Sequence, residues 1–319
     1  MKAFDLVKAT SLDEAVSALG GEGAMAIAGG TDVINTLQDR VLAEYPKTLV
    51  SLKSIPNLDY IKEEGGSLKI GAMTRLEDIA HNDIVKSKYT CLAEAASKTA
   101  SPHIRESGTI GGNICQINRC WYFRKTDNRF DCIRKGGNMC YAMAGDNRYH
   151  SIFGAVSACI AVNPSDTAPA LVALNATIKT TKRDIAADDF WAVSIPGSTV
   201  LEADEVVTEI VIPAFSGKSS FIKYALRKSI DFPVVNCATA ISNGQSRICL
   251  NAVYNKPYRA TAAEEIVNGK TIDEALAEEA GTAAVSKAMA MPATGTNPGN
   301  KWKVQIAKTL VKRTILNCK

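Results

Sequence analysis

The chain has 319 residues, 46% of them hydrophobic and 22% charged, with 37 basic against 33 acidic side chains and a net charge of +4. This balance lacks the basic excess of a nucleic-acid binder, and no apolar run approaches the roughly 18 residues of a membrane span. The length predicts more than one domain. Nine cysteines, an odd number with Cys159, Cys237 and Cys249 in apolar runs, argue for a reducing compartment and against a disulfide framework. The first residues carry no secretory leader, so a cytoplasmic protein is expected.

In chain order, Ser11, Leu12, Asp13 and Glu14 form a capping-box pattern that predicts a helix to about Leu19, ended by Gly20 and Gly21. Strands are expected at 24–28, 48–52 and 67–73, and helices around 76–79 and 91–100, the latter stopped by Pro102. Residues 115–150 are rich in Cys, Arg, Asn, Gly and aromatics and show little periodicity, which in a compact domain points to a functional loop. The run 151–162 is apolar and strand-like. A turn at 163–166 precedes a helix at 169–174, and strands near 177–181, 199–201 and 205–212 continue an α+β pattern. A linker at 213–220 leads to three antiparallel strands at 221–227, 234–241 and 246–254, then helices at 262–267, 272–289 and 302–316.

Several familiar chemistries are missing. No G-x-G-x-x-G is present, and Gly269-Lys270-Thr271 lacks the upstream glycine of a P-loop because Glu264 stands there. The nucleophile elbow and the H-E-x-x-H motif are also missing, and only His81, His103 and His150 occur.

What remains is a pair of glycine-bearing bends, Ile27-Ala28-Gly29-Gly30-Thr31-Asp32 and Thr109-Ile110-Gly111-Gly112-Asn113. Glycines let backbone N–H groups come close to an anion, so two such bends can hold one diphosphate from two sides. Ordinary strand-to-loop turns are the plainer reading. Thr31, Thr109 and Asn113 would add side-chain hydrogen bonds, whereas Asp32 is awkward beside a phosphate and fits a turn or hydroxyl-binding role. Asp166 reads as a helix N-cap or as an acceptor for a ribityl or ribose hydroxyl. Lys223 and Arg227, four apart on a strand, share a face that is either a solvated edge or a cation near a flavin. Cys120, Cys132 and Cys140 lie in one loop, with Cys115 before them and His150 after; an iron–sulfur cluster, zinc and unligated thiols are the alternatives.

These segments, followed by Ser165-Asp166-x-x-Pro169-Ala170-Leu171 and Lys223-x3-Arg227-x3-Asp231-x-Pro233, resemble the FAD-binding subunits of the molybdenum hydroxylases along essentially the whole chain. That family includes the xanthine dehydrogenase flavin domain, the carbon monoxide dehydrogenase medium subunit and the 4-hydroxybenzoyl-CoA reductase β subunit. The resemblance implies an α+β, vanillyl-alcohol-oxidase-type FAD fold of two α/β subdomains (1–55 and 56–214, with a Cys-rich insert at about 114–160), followed by a C-terminal domain (218–319) of three antiparallel strands and helices. It implies that Ile27, Ala28, Gly29, Gly30, Thr31, Asp32 and Val33 wrap the diphosphate, with Thr109, Gly111, Gly112 and Asn113 opposite. Asp166 would bind the ribityl or adenosine side, Val207 would pack by the cofactor, and Lys223 would lie near the isoalloxazine. The insert resembles that of the reductase β subunit, which carries a [4Fe-4S] cluster on four cysteines. Cys120, Cys132 and Cys140 match three of these. Tyr149 stands at the fourth place with His150 beside it, so that Cys115 or His150 completes the set or the cluster is absent.

The resemblance thus implies an electron-transfer flavoprotein subunit of a heterotrimer. Its partners would be a molybdopterin-containing large subunit and a [2Fe-2S] small subunit, with NAD or another electron carrier as the outside partner. The competing expectations are a stand-alone FAD-dependent oxidoreductase and a zinc-bound interaction scaffold.

Overall fold

The computed structural model describes residues 1–192, 197–227, 230–295 and 297–319. Strands β1 (Asp5–Lys8), β2 (Ala24–Ile27) and β3 (Thr48–Ser51) form a parallel sheet in the order β1-β3-β2. Leu49 and Val50 of the central strand are buried, as expected where a parallel sheet is covered on both faces. Helix α1 (Leu12–Leu19) connects β1 to β2, and the Ser11 side chain accepts the Glu14 N–H at 3.1 Å. The Glu14 carboxylate answers by accepting the Thr10 N–H at 2.7 Å, one residue further back than a standard box. Helix α2 (Val33–Gln38), absent from the sequence reading, starts directly from the first glycine bend.

The second sheet is antiparallel and runs β4-β5-β8-β6-β7, with β4 (Ile61–Glu64), β5 (Ser67–Gly71), β6 (Thr177–Thr180), β7 (Asp184–Ala186) and β8 (Val207–Ile212). Between β5 and β6 come α3 (Leu76–His81), α4 (Asp83–Lys88), α5 (Thr90–Ser97), α6 (Pro102–Arg105), α7 (Ile110–Cys115), α8 (Tyr141–Ala144) and α9 (Thr167–Ala173); α10 (Ala187–Phe190) follows β7. Every residue of α9 is buried, which fits its uniformly small and apolar sequence. Trp191, 1% exposed, donates its indole N–H to the Ile114 carbonyl at 3.0 Å and so fastens the end of α7. No strand forms at 199–201, where the chain only bends.

The third sheet has four antiparallel strands where three were expected. Its order is β12-β11-β10-β9, from β9 (Lys218–Tyr224), β10 (Val235–Ser242), β11 (Gln245–Asn251) and the two-residue β12 (Tyr258–Arg259). The added strand pairs Arg259 with Cys249 and Tyr258 with Leu250, and is too short to carry an alternation signal. Helices α11 (Thr261–Val267), α12 (Glu274–Ala284) and α13 (Trp302–Asn317) cover this sheet, α12 stopping short of the expected residue 289. Ala307, Leu310, Val311 and Ile315 of α13 recur at helical spacing and are buried against it. The second and third sheets are tied through α5: Glu94 accepts the Phe221 N–H at 2.6 Å, and Ser219 accepts the Cys91 N–H at 3.1 Å.

The Cys-rich segment has little regular structure, and the run 151–162 is not the predicted strand but a loop with isolated bridges. Its backbone polar groups are met from outside. Asn297 donates to the Gly145 carbonyl at 2.5 Å, and Asn300 to the Ser151 carbonyl at 2.9 Å. The fully buried Lys303 of α13 donates to the carbonyls of His150 (2.9 Å) and Ala252 (2.8 Å). Burial pulls the Lys303 ammonium down to about 7.

Candidate functional site

The two glycine bends meet. A Cβ on Gly29 would run into the carbonyl of Ser107 and lie 3.1 Å from the Gly108 Cα, so only glycine lets these backbones touch. Gly30 has φ +77°, the left-handed region, and turns the chain into α2. A cleft of ≈ 440 Å³ opens along the contact, within the range of small-molecule sites. Ala28, Gly29, Gly30, Thr31, Asp32, Val33, Thr109, Gly111, Gly112, Asn113, Asp166 and Val207 all line it. Ile27 and Lys223 do not. Ile27 ends β2 beneath the bend, and Lys223 lies behind Asp166.

The bends differ in their hydrogen bonds. The backbone N–H groups of Gly29, Gly30, Thr31, Asp32 and Val33 donate to no described residue. In the second bend the Ile110 N–H donates to Thr74, Gly111 to Ala72 and Asn113 to the Thr109 carbonyl, each at 2.8–2.9 Å, and Gly112 donates to the Thr109 hydroxyl at 3.1 Å. Gly111 and Gly112 line the cleft on this side. Their amides are used inside the chain, and a Cβ on Gly111 would lie 2.8 Å from the Ala72 carbonyl. A free donor on this side is the Asn113 side-chain amide. Its Oδ1 accepts from Ser165 (2.6 Å) and Thr167 (2.7 Å), which leaves Nδ2 for the cleft.

Asp166 stands at the start of α9 but makes no capping bond with its side chain. Its carboxylate instead accepts from Lys223 Nζ at 2.7 Å and Asn236 Nδ2 at 2.8 Å. Burial raises its pKa, and the Lys223 ammonium opposes that rise. Lys223 is only 7% exposed and also donates to the Lys98 carbonyl, so the solvated-edge reading fails for it. Arg227 is the exposed member of that pair and bonds Asp231. Asn236 escaped the sequence reading. The available signal was a lone amide among the small and apolar residues of strand β10.

Asp32 is no phosphate ligand by charge, and its carboxylate turns toward the Cys-rich segment. It accepts from Arg124 Nη2 at 2.7 Å and the Ile117 N–H at 3.0 Å, and Arg119 Nη2 forms an ion pair with it at 2.9 Å.

Among the cysteines, Cys120, Cys132, Cys140 and Cys159 share one neighbourhood and perturb one another's ionisation. The Cys140 and Cys159 thiols act on one another, and this, with the Arg134 guanidinium 3.1 Å from Cys159 Sγ, lowers the Cys159 pKa and raises that of Cys140. Cys115 is apart: it packs into the main core, and burial alone raises it to about 12. His150 Nε2 lies 3.2 Å from Cys120 Sγ, and burial lowers its pKa to about 4, so the imidazole is neutral at pH 7. Among the described residues no group of three or more His, Cys, Asp and Glu side chains is arranged to hold a single metal ion. Cys159 was missed because it is remote in sequence and lies in an apolar run that reads as core.

A cleft of this kind, lined by free amides and small apolar side chains between two α/β units, defines a nucleotide-cofactor protein. Residues 2–215 match the family described as the FAD binding domain in molybdopterin dehydrogenase, and residues 220–318 the CO dehydrogenase flavoprotein C-terminal domain. The chain belongs to the family of FAD-binding subunits of the molybdenum hydroxylases, which makes it an FAD-dependent oxidoreductase subunit. It is 34% identical over 278 residues to the aldehyde oxidoreductase FAD-binding subunit of Escherichia coli, covering 83% of this chain and 86% of that one. It is 27% identical over 320 residues to the carbon monoxide dehydrogenase medium chain of Hydrogenophaga pseudoflava, covering 98% and 96%. The solved carbon monoxide dehydrogenase of that organism lacking the Mo-pyranopterin moiety superimposes with a TM-score of 0.76 at 27% identity, over 99% of this chain and 97% of that one. No helix among the described residues is long and apolar enough to cross a membrane.

Proposed function

We propose that this chain carries electrons for a cytoplasmic molybdenum hydroxylase. Substrate is turned over at a molybdopterin in a large subunit, and electrons pass through the [2Fe-2S] clusters of a small subunit, through this chain, and to or from NAD or another carrier. The observation that carries the reading is the row of five unpaired amides at Gly29–Val33 facing the cleft. These residues are half-buried or exposed, so water meets their N–H groups until a diphosphate, the anion that a run of successive amides cradles, takes its place.

FAD supplies the redox chemistry when bound, as the exchange of a hydride or single electrons. The protein's residues bind and orient it. The Gly29–Val33 amides and the Asn113 amide hold the diphosphate. Asp166, held in place by Lys223 and Asn236, accepts from hydroxyls of the ribityl or adenosine side. Val207 keeps water from the ring. Lys223 exerts its charge through Asp166 rather than by touching the isoalloxazine. Residues 1–55 and 56–214 act as the two halves of the binding unit, and 218–319 as the third domain.

The Cys-rich segment fits a [4Fe-4S] cluster held by Cys120, Cys132, Cys140 and Cys159. A cubane spreads its ligands more widely than a single ion does, the thiols share one buried neighbourhood, and Arg134 and Lys135 supply positive charge beside them. Cys159 replaces Cys115 and His150 as the fourth ligand. Trp121, Tyr122 and Tyr149 pack around the site and restrict water.

Two measurements test this reading. The purified chain should bind one FAD, and Gly29→Ala should abolish the uptake because its methyl group meets the Ser107 carbonyl; a variant that binds FAD as the parent does would refute the cleft assignment. Iron and acid-labile sulfide should each approach about four per chain, and Cys159→Ser should lower both. Undiminished iron in that variant removes Cys159 from the set.

A further inference from the structure

We infer that the Cys-rich segment is also part of the flavin site, with Arg124 as the residue that positions the first glycine bend and, together with Arg119, neutralises Asp32 so that a diphosphate can bind. This rests on the flavin reading above.

The argument starts from a conflict of charge. Asp32 lies inside the row of free amides, with its carboxylate only 15% exposed. A diphosphate on those amides brings negative charge next to a partly buried carboxylate, which by itself would oppose binding. Three donors from the Cys-rich segment resolve the conflict, namely Arg124, Arg119 and the Ile117 N–H. Two guanidinium groups on one carboxylate leave a net charge of +1 at the edge of the bend, the sign that attracts an anion.

Arg124 does more than neutralise. Its guanidinium spans three places at once: Nη2 on Asp32, Nη1 on the Thr36 hydroxyl at 2.9 Å, and Nε on the Asn118 carbonyl at 2.9 Å. Asp32 and Thr36 mark the two sides of the first turn of α2, so the planar fork sets the angle at which α2 leaves the bend. Further along, the Asp127 N–H donates to the Asp39 carbonyl at 2.9 Å, Arg40 pairs with Asp127, and Val41 packs on Phe123 and Cys132. The bend and α2 are thus braced along their length by the segment that carries the cysteines. Arg119 also borders the cleft, with its guanidinium 4.3 Å from the centre of the Phe232 ring.

The consequence is linkage: whatever orders the Cys-rich segment raises the affinity for FAD, and FAD in turn favours the ordered segment. The test is FAD titration of the full chain, followed by quenching of flavin fluorescence, for the parent, Arg124→Ala, Asp32→Asn and the double variant. Arg124→Ala should weaken FAD binding by about 10- to 100-fold, within the usual range of coupling between linked sites. Asp32→Asn combined with Arg124→Ala should recover most of that loss, because the carboxylate that needed neutralising is gone. Arg124→Lys should fall between, keeping charge without the fork. Parent-like affinity in Arg124→Ala overturns the proposal. So does a loss that Asp32→Asn leaves unrescued, since that marks a damaged fold rather than an exposed charge. A parent chain that takes up no FAD is a different result: it fails the flavin reading itself and takes this proposal with it.

Discussion

The two glycine bends look alike in sequence and behave differently in the fold. The first leaves five amides in a row without a partner among the described residues, while the second spends four on Thr74, Ala72 and Thr109. The first lies open to the cleft. The second is a packed wall, where a Cβ on Gly111 would press on Ala72 and one on Gly112 on the Thr109 hydroxyl. Equivalent motifs therefore do not imply equivalent roles, and the distinction is found by asking where each backbone donor goes.

The comparison makes opposite demands on mutants. Damage to the wall should show in the stability of the FAD-free chain, whereas damage to the first bend should show in cofactor affinity. The largest effect is expected for Asp166→Ala on the wall side. It strands a nearly buried Lys223 with a single carbonyl partner, and urea unfolding of the FAD-free chain should lose about 3–5 kcal/mol. Unchanged unfolding would mean that Asp166 serves the ligand alone, and the contrast between wall and surface would break there. A smaller effect is expected for Thr109→Ala, which removes the cap on the Gly112 N–H and should cost about 1 kcal/mol by the same measurement. If it weakens FAD binding more than it weakens folding, the second bend is also a binding surface.

Much of the architecture was legible because its signals are local. The capping residues at Ser11 and Glu14, the apolar spacing along α13 and the turn-bounded, largely buried runs of β10 and β11 each announce their element. β12 was invisible because two residues carry no period, and α2 because its start is hidden in the glycine bend. The cleft residues were readable as a set, since glycines, Thr109 and Asn113 are costly choices in a core strand or helix. Their division of labour was not readable. That Asp32 turns to Arg119 and Arg124, that Asp166 pairs with Lys223, and that Cys159 joins Cys120, Cys132 and Cys140 all depend on contacts between remote parts of the chain. No spacing rule spans such distances.

The grip of Lys303 on the carbonyls of His150 and Ala252 has a consequence in time. Ribosomes make the N-terminus first, so the thiol-bearing loop emerges about 150 residues before the ammonium that bolts it. Until α13 exists, the carbonyls of His150 and Ala252 wait for their ammonium, so this edge of the loop takes its final form only when the C-terminal helix docks.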